Sequence, residues 1–161
     1  MSLICGAMEE MTLIEDTRNK VGKHKNIAAY CKRCGIELVR EKLAYGDYMF
    51  PGSHISIDSK RNLDEVATNL LNRSHKDSIR FWNEIRGAKQ NGIQLVILVE
   101  HGGEIKSIND VPKWRSRFSG VTGRRLIDEM IRCEMAYSVR WVFTDRRSTA
   151  KRIIEILSGK E

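Results

Sequence analysis

Long apolar stretches, linkers and prolines are what this sequence lacks. No run of 18 apolar residues occurs, and the densest, Leu95-Val96-Ile97-Leu98-Val99, has the length of a strand rather than a membrane span. Only Pro51 and Pro112 interrupt the chain, and no Gly/Ser-rich segment divides its 161 residues, which amount to about one domain. The N-terminus has neither a basic leader nor a long apolar core, so a cytoplasmic protein with no membrane partner is expected. The cysteines are Cys5, Cys31, Cys34 and Cys133. Cys31 and Cys34 make a lone CxxC pair, two of the four ligands a structural zinc needs, and they fit better as small hydrophobes on a helix. His24, His54, His75 and His101 are scattered without metal-ligand spacing.

What the chain has is positive charge. Twenty-eight Lys and Arg stand against 21 Asp and Glu, a net +7, which favours polyanionic partners. Apolar periodicity orders the elements as β-α-β-β-β-α-α-β-α-β-α. Met11 to Asp16 reads as a strand ending in a carboxylate, and Lys25 to Cys34 as a helix stopped by Gly35. Ile36 to Ala44 alternates like a strand, and His54 to Ser59 follows the turn at Pro51-Gly52 with Ile55 and Ile57 on one face and Ser56 and Asp58 on the other. Leu63, Val66, Ala67, Leu70 and Leu71 mark a helix capped by Asn62. Ile79, Trp82, Ile85 and Ala88 mark a second, over 77–90. The run at 94–100 suits a strand covered on both faces. After a loop over 101–121 come a helix at 123–136, a strand at 139–143 and a helix at 148–157. A meander of three consecutive strands between helix-linked strands predicts an α/β fold, a mixed sheet with helices on its faces.

The chemistry concentrates at Gly46-Asp47-Tyr48 and Asp58-Ser59-Lys60. In a strand Asp58 and Lys60 point the same way, and the Pro51-Gly52 turn lets the preceding strand set Asp47 beside Asp58. Two carboxylates so close repel unless a cation intervenes, and Mg2+ takes one or two carboxylates together with waters and phosphate oxygens. Lys60 could then orient the attacking water and stabilise charge on the phosphate. Taken alone, the spacing fits an amphipathic surface strand better, since charged residues mostly sit exposed.

In order along the chain, Ile14-Glu15-Asp16-Thr17-Arg18, Gly46-Asp47-Tyr48, Ile57-Asp58-Ser59-Lys60-Arg61-Asn62-Leu63-Asp64, a helix with Arg80 and Glu84, and an apolar strand ending at Glu100 resemble the XPF-type nuclease domain of the PD-(D/E)XK superfamily. The tail from Ser119-Gly120-Val121-Thr122-Gly123 resembles that of stand-alone, phage-type relatives. The resemblance implies a restriction-endonuclease-like sheet flanked by helices on both faces. It implies one nuclease domain over 1–161, with a core at about 11–101 and a β/α extension at about 119–158. It implies cleavage of DNA phosphodiesters with Mg2+ or Mn2+, on branched or flap DNA, by a homodimer. Asp47, Asp58 and Asp16 would hold metal, with Lys60 the catalytic lysine. Asp64 and Arg61 would support Lys60 and its surroundings. Arg80, Lys23, Lys25, Arg73, Lys76, Arg115 and Arg117 would contact DNA. Asp58 replaces the Glu of the family pattern, Ser59 its Arg, Asn19 its first Glu, and Glu84 a common Gln. The alternative is a DNA-binding module that kept the fold without catalysis. The loop at Lys113-Trp114-Arg115-Ser116-Arg117-Phe118 interleaves basic and aromatic residues, which suits either a strand-binding surface or a Trp and Phe packed beneath a solvated loop.

Overall fold

A computed structural model describes residues 10–22 and 25–160. Lys23 and the side chain of Lys25, both expected on DNA, lie outside the described residues. The elements are β1 (Met11–Asp16), α1 (Lys25–Cys34), β2 (Ile36–Glu41), β3 (Tyr48–Met49), β4 (Ile55–Lys60), α2 (Leu63–Leu71), α3 (Lys76–Gln90), β5 (Gln94–Glu100), a 3-10 turn (Ile108–Lys113), α4 (Gly123–Tyr137), β6 (Arg140–Thr144) and α5 (Thr149–Leu157). The six strands form one mixed sheet in the order β2-β1-β3-β4-β5-β6.

Strand β4 lies inside this sheet, antiparallel to β3 and parallel to β5, and its last five residues are all buried. Its alternation divides the molecule. Ile57 joins Leu13, Tyr48, Val96, Leu98 and Val142 in the apolar layer beneath α1 and α5. Leu95, Ile97, Val99, Trp141 and Phe143 face the other way, into the layer under α2, α3 and α4. The sheet thus carries helices on both faces, as expected.

The expected meander of β2, β3 and β4 is not what forms. The β1-α1-β2 unit is a parallel crossover that sends β2 to the sheet edge, so β1 receives β3 on its free side. The hairpin-like trio is therefore β1-β3-β4. Ile79, expected in the core, is 52% exposed, and Ser78 and Phe81 take the buried positions on that face of α3. The segment 101–121 is not wholly irregular, since it carries the 3-10 turn and an antiparallel bridge between Arg115 and Thr122.

Local chemistry sets the helix starts nearest the site. Asn62 accepts the N–H of Glu65 at 2.9 Å, and Asp64 and Glu65 place negative charge in the first turn of α2, where the helix dipole favours it. Gly123 opens α4 with no room for a side chain, because a Cβ there would meet Val111 O at 1.9 Å. Cys31 and Cys133 are buried free thiols whose pKa burial pushes up, to about 11 and about 12, which suits packing in the core. Among the described residues no helix is long and apolar enough to cross a membrane.

Candidate active site

Asp16 ends β1, Asp58 lies in β4, and Asp47 stands between them, immediately before β3. Tyr48 pairs with Glu15 on one side and Ile57 on the other, and backbone hydrogen bonds tie the residue before it to both neighbours. There Asp16 N–H donates to Asp47 O at 2.8 Å and Asp47 N–H to Ile57 O at 2.6 Å. The turn at Pro51-Gly52 therefore does what the spacing implied.

Gly46 sets the approach to this rung. It sits at φ +81°, and a Cβ would lie 2.1 Å from Ser56 Oγ, a hydroxyl that is itself donated to Tyr45 O at 2.6 Å. Its N–H donates to Glu84 Oε1 at 2.5 Å, so α3 pins the backbone immediately before Asp47. Gly46→Ala should destabilise the protein by about 2–3 kcal/mol, through backbone strain added to a steric clash. A urea titration checks this, and an unchanged midpoint would mean that this segment relaxes freely.

The carboxylates differ in their surroundings. Asp16 is 2% exposed and its two oxygens are occupied, Oδ1 by Leu43 N–H at 2.9 Å and Oδ2 by Arg18 Nε at 2.7 Å. Asp47 Oδ2 accepts from Ser59 N–H at 2.9 Å and Ser59 Oγ at 3.1 Å. Ser59, where the family pattern has Arg, is thus the residue that orients Asp47. Asp58 is 6% exposed and its Oδ2 lies 3.0 Å from Lys60 Nζ, close enough for an ion pair but not aligned as a hydrogen bond. Lys60 Nζ also stands 4.8 Å from the centre of the Phe81 ring, a cation–π distance.

The electrostatics follow from this crowding. Burial drives the Asp58 pKa well above the usual carboxylate range. Lys60 opposes the rise, and Asp47 and Glu84 add to it. Burial works against the Lys60 charge, but Asp58 and then Glu65 outweigh it and the ammonium is held more firmly than usual. Glu84 is likewise raised, first by burial. A second cation would relieve this excess of buried negative charge. Asp58 Oδ2, buried without an aligned hydrogen bond, and Asp47 beside it fit such an ion as hard oxygen donors. A three-carboxylate cage does not form, however. Among the described residues no group of three or more His, Cys, Asp or Glu could hold a metal ion, and the bonds to Arg18 and Leu43 account for Asp16.

Two clefts flank α3 at this point. One, of about 430 Å3, is lined by Asp16, Arg18, Asp47, Asp58, Arg80 and Glu84. The other, of about 490 Å3, is lined by Lys60, Arg61, Thr68, Asn69, Arg80 and Glu84 among others. Asn19 Nδ2 in the first and Asn69 Oδ1 in the second are buried without a hydrogen-bond partner. Such groups are costly to bury unpaired and suit a polar occupant.

Solved structures share this architecture. XPF from Aeropyrum pernix in complex with DNA matches with a TM-score of 0.63 at 18% identity, over 92% of this chain and 64% of that one. The structure described as XPF from Aeropyrum pernix matches with a TM-score of 0.62 at 18% identity, over 91% of this chain and 63% of that one. The fold is the XPF-type nuclease fold. This chain spans less than two thirds of the length of those XPF chains. No protein-family model matches the sequence, and no curated protein does.

Within the XPF-type fold the remaining expected residues fall into two sets. Arg80 is exposed, lines both clefts and lies 3.7 Å from Asp77. Lys76, Arg115 and Arg117 are exposed. Arg73 is instead laid over the Trp82 ring at 3.8 Å, with Glu129 at 4.0 Å, so it packs α3 against α4. Asp64, expected to support Lys60 or Arg61, accepts from Ser116 Oγ at 2.5 Å and holds the loop before α4. Arg61 pairs with Glu65 at 3.1 Å. Residues outside the expected site also join it, namely Glu84, Arg18 and Ser59. All three stand within the stretches quoted from the sequence, and Glu84 lies four residues after Arg80 on one helix face.

Proposed function

We propose that this protein is a metal-dependent DNA endonuclease acting at the Asp47–Asp58–Lys60 centre, with branched or flap DNA as its preferred substrate. The observation that carries the reading is the buried Asp58–Lys60 pair at 3.0 Å, with Asp58 and Asp47 lining a cleft rimmed by Arg18 and Arg80 and Lys60 lining the other cleft beside α3. A buried ion pair crowded by further carboxylates is poor economy for stability alone and suits a centre tuned for chemistry. Asp47 and Asp58 would hold Mg2+ or Mn2+, which when bound polarises the scissile phosphate and acidifies a water. Lys60 holds its proton at Nζ, orients the attacking oxygen and stabilises charge on the phosphate. Arg80 offers its planar donor fork to a neighbouring phosphate. Asp16, with Arg18, shapes the wall behind Asp47.

The DNA in the complex of the Aeropyrum pernix XPF supports DNA as the partner, as does the net +7 charge, and neither bears on the preference for branched forms. The test incubates end-labelled flap, splayed-arm, four-way and linear duplex DNA with the protein in Mg2+, Mn2+ or EDTA. Metal-dependent cleavage, faster on the branched forms, is expected. Tight, salt-sensitive binding with no cleavage in either metal would identify a non-catalytic DNA-binding module instead.

A further inference from the structure

The loop between the 3-10 turn and α4 does not need to be as ordered as it is. Ser116, 8% exposed, donates Oγ to Asp64 at 2.5 Å and accepts from the N–H groups of Phe118 and Ser119 at 3.1 Å each. Ser116 N–H donates to Val121 O at 3.1 Å, and Arg115 bridges to Thr122. These bonds make a closed turn tied to the first turn of α2, four residues beyond Lys60. At its tip the Phe118 ring is 86% exposed, whereas Trp114, at the base, packs on the core. The two aromatics that the sequence left undecided therefore part company.

A single exposed apolar side chain is ordinary. This one differs in being carried on a preorganised turn among basic residues. Arg115 and Arg117 precede it on the turn and Arg124 and Arg125 open α4, all four exposed, and Arg125 lines the same hollow as Phe118. Below the ring lies a hollow of about 440 Å3 lined by Asp64, Thr68, Ser116, Phe118, Ser119 and Arg125. Thr68 also lines the cleft that holds Lys60, so the hollow and that cleft meet along α2. An aromatic face among arginines is the chemistry that takes a stacked base with its phosphates, and every unpaired base offers a π-face.

We propose that Phe118 stacks against an unpaired base of DNA lying across the 115–122 turn, which makes this turn the element that distinguishes a single-stranded arm from continuous duplex. The inference rests on the DNA reading above and extends it to a surface outside the carboxylate centre. Order in the free protein keeps the entropic cost of the contact low.

The test measures affinity in EDTA, so that cleavage does not intervene, for a blunt duplex and for the same duplex carrying a single-stranded tail. Phe118→Ala should reduce the tailed-over-blunt affinity ratio by about 5- to 150-fold, the range of one lost base–aromatic stack. Phe118→Tyr should restore the ratio. Met135→Ala, at a residue of α4 that is 83% exposed, should leave it at the wild-type value. With 2-aminopurine at the first unpaired position, fluorescence should be quenched by the wild type and not by Phe118→Ala. An unchanged ratio in Phe118→Ala, or a wild type that binds both DNAs without preference, would overturn the inference and leave the endonuclease reading standing. A wild type that binds neither DNA would overturn both.

Discussion

Lys60→Met is expected to slow metal-supported DNA cleavage by a factor on the order of 10³ while leaving DNA binding largely in place, because the ammonium acts where charge develops. Methionine keeps most of the aliphatic volume beside Phe81, so the packing under α3 survives. The abandoned Asp58 carboxyl can bind a proton, toward which burial, Asp47 and Glu84 already push it. Single-turnover cleavage at saturating protein separates the two effects. Loss of rate with the apparent affinity within a few-fold supports a role in chemistry. A proportional loss of both would make Lys60 a phosphate contact instead.

The second large effect concerns stability. Asp58→Asn leaves the Lys60 ammonium, 9% exposed, without its closest counter-charge and should cost about 3–5 kcal/mol. Combining it with Lys60→Met removes both charges from the interior. The double variant should regain most of that loss, and a coupling energy of about 2–3 kcal/mol is expected from the cycle. Urea unfolding in EDTA reads the four proteins without metal linkage. Additive single effects would mean that the two groups are solvated independently, contrary to their 3.0 Å contact.

How far the site was legible depended on whether its parts were local. Period-two alternation placed Asp58 and Lys60 together, and one turn signal brought Asp47 into place immediately before β3, next to β4. The strand at 36–41 was visible as a strand, but nothing in its alternation says which neighbour it pairs with. Its position came from the α1 crossover. Asp64 meets Ser116 52 residues away, and Glu84 meets Gly46 across 38, through side-chain geometry that periodicity does not encode. Ile79 fitted the helical spacing and still lost its place to Phe81, whose ring covers Lys60. Asp16 stood in the right row, but its oxygens were claimed by Leu43 N–H and Arg18, partners that the strand pattern does not show.

Soaking crystals of the protein in Mn2+ and collecting anomalous diffraction tests the account at its root. The account predicts one strong peak within coordination distance of both Asp47 and Asp58, absent in Asp47→Ala. No peak there at millimolar Mn2+, with Asp58 still paired only to Lys60 and cleavage undiminished, would contradict it.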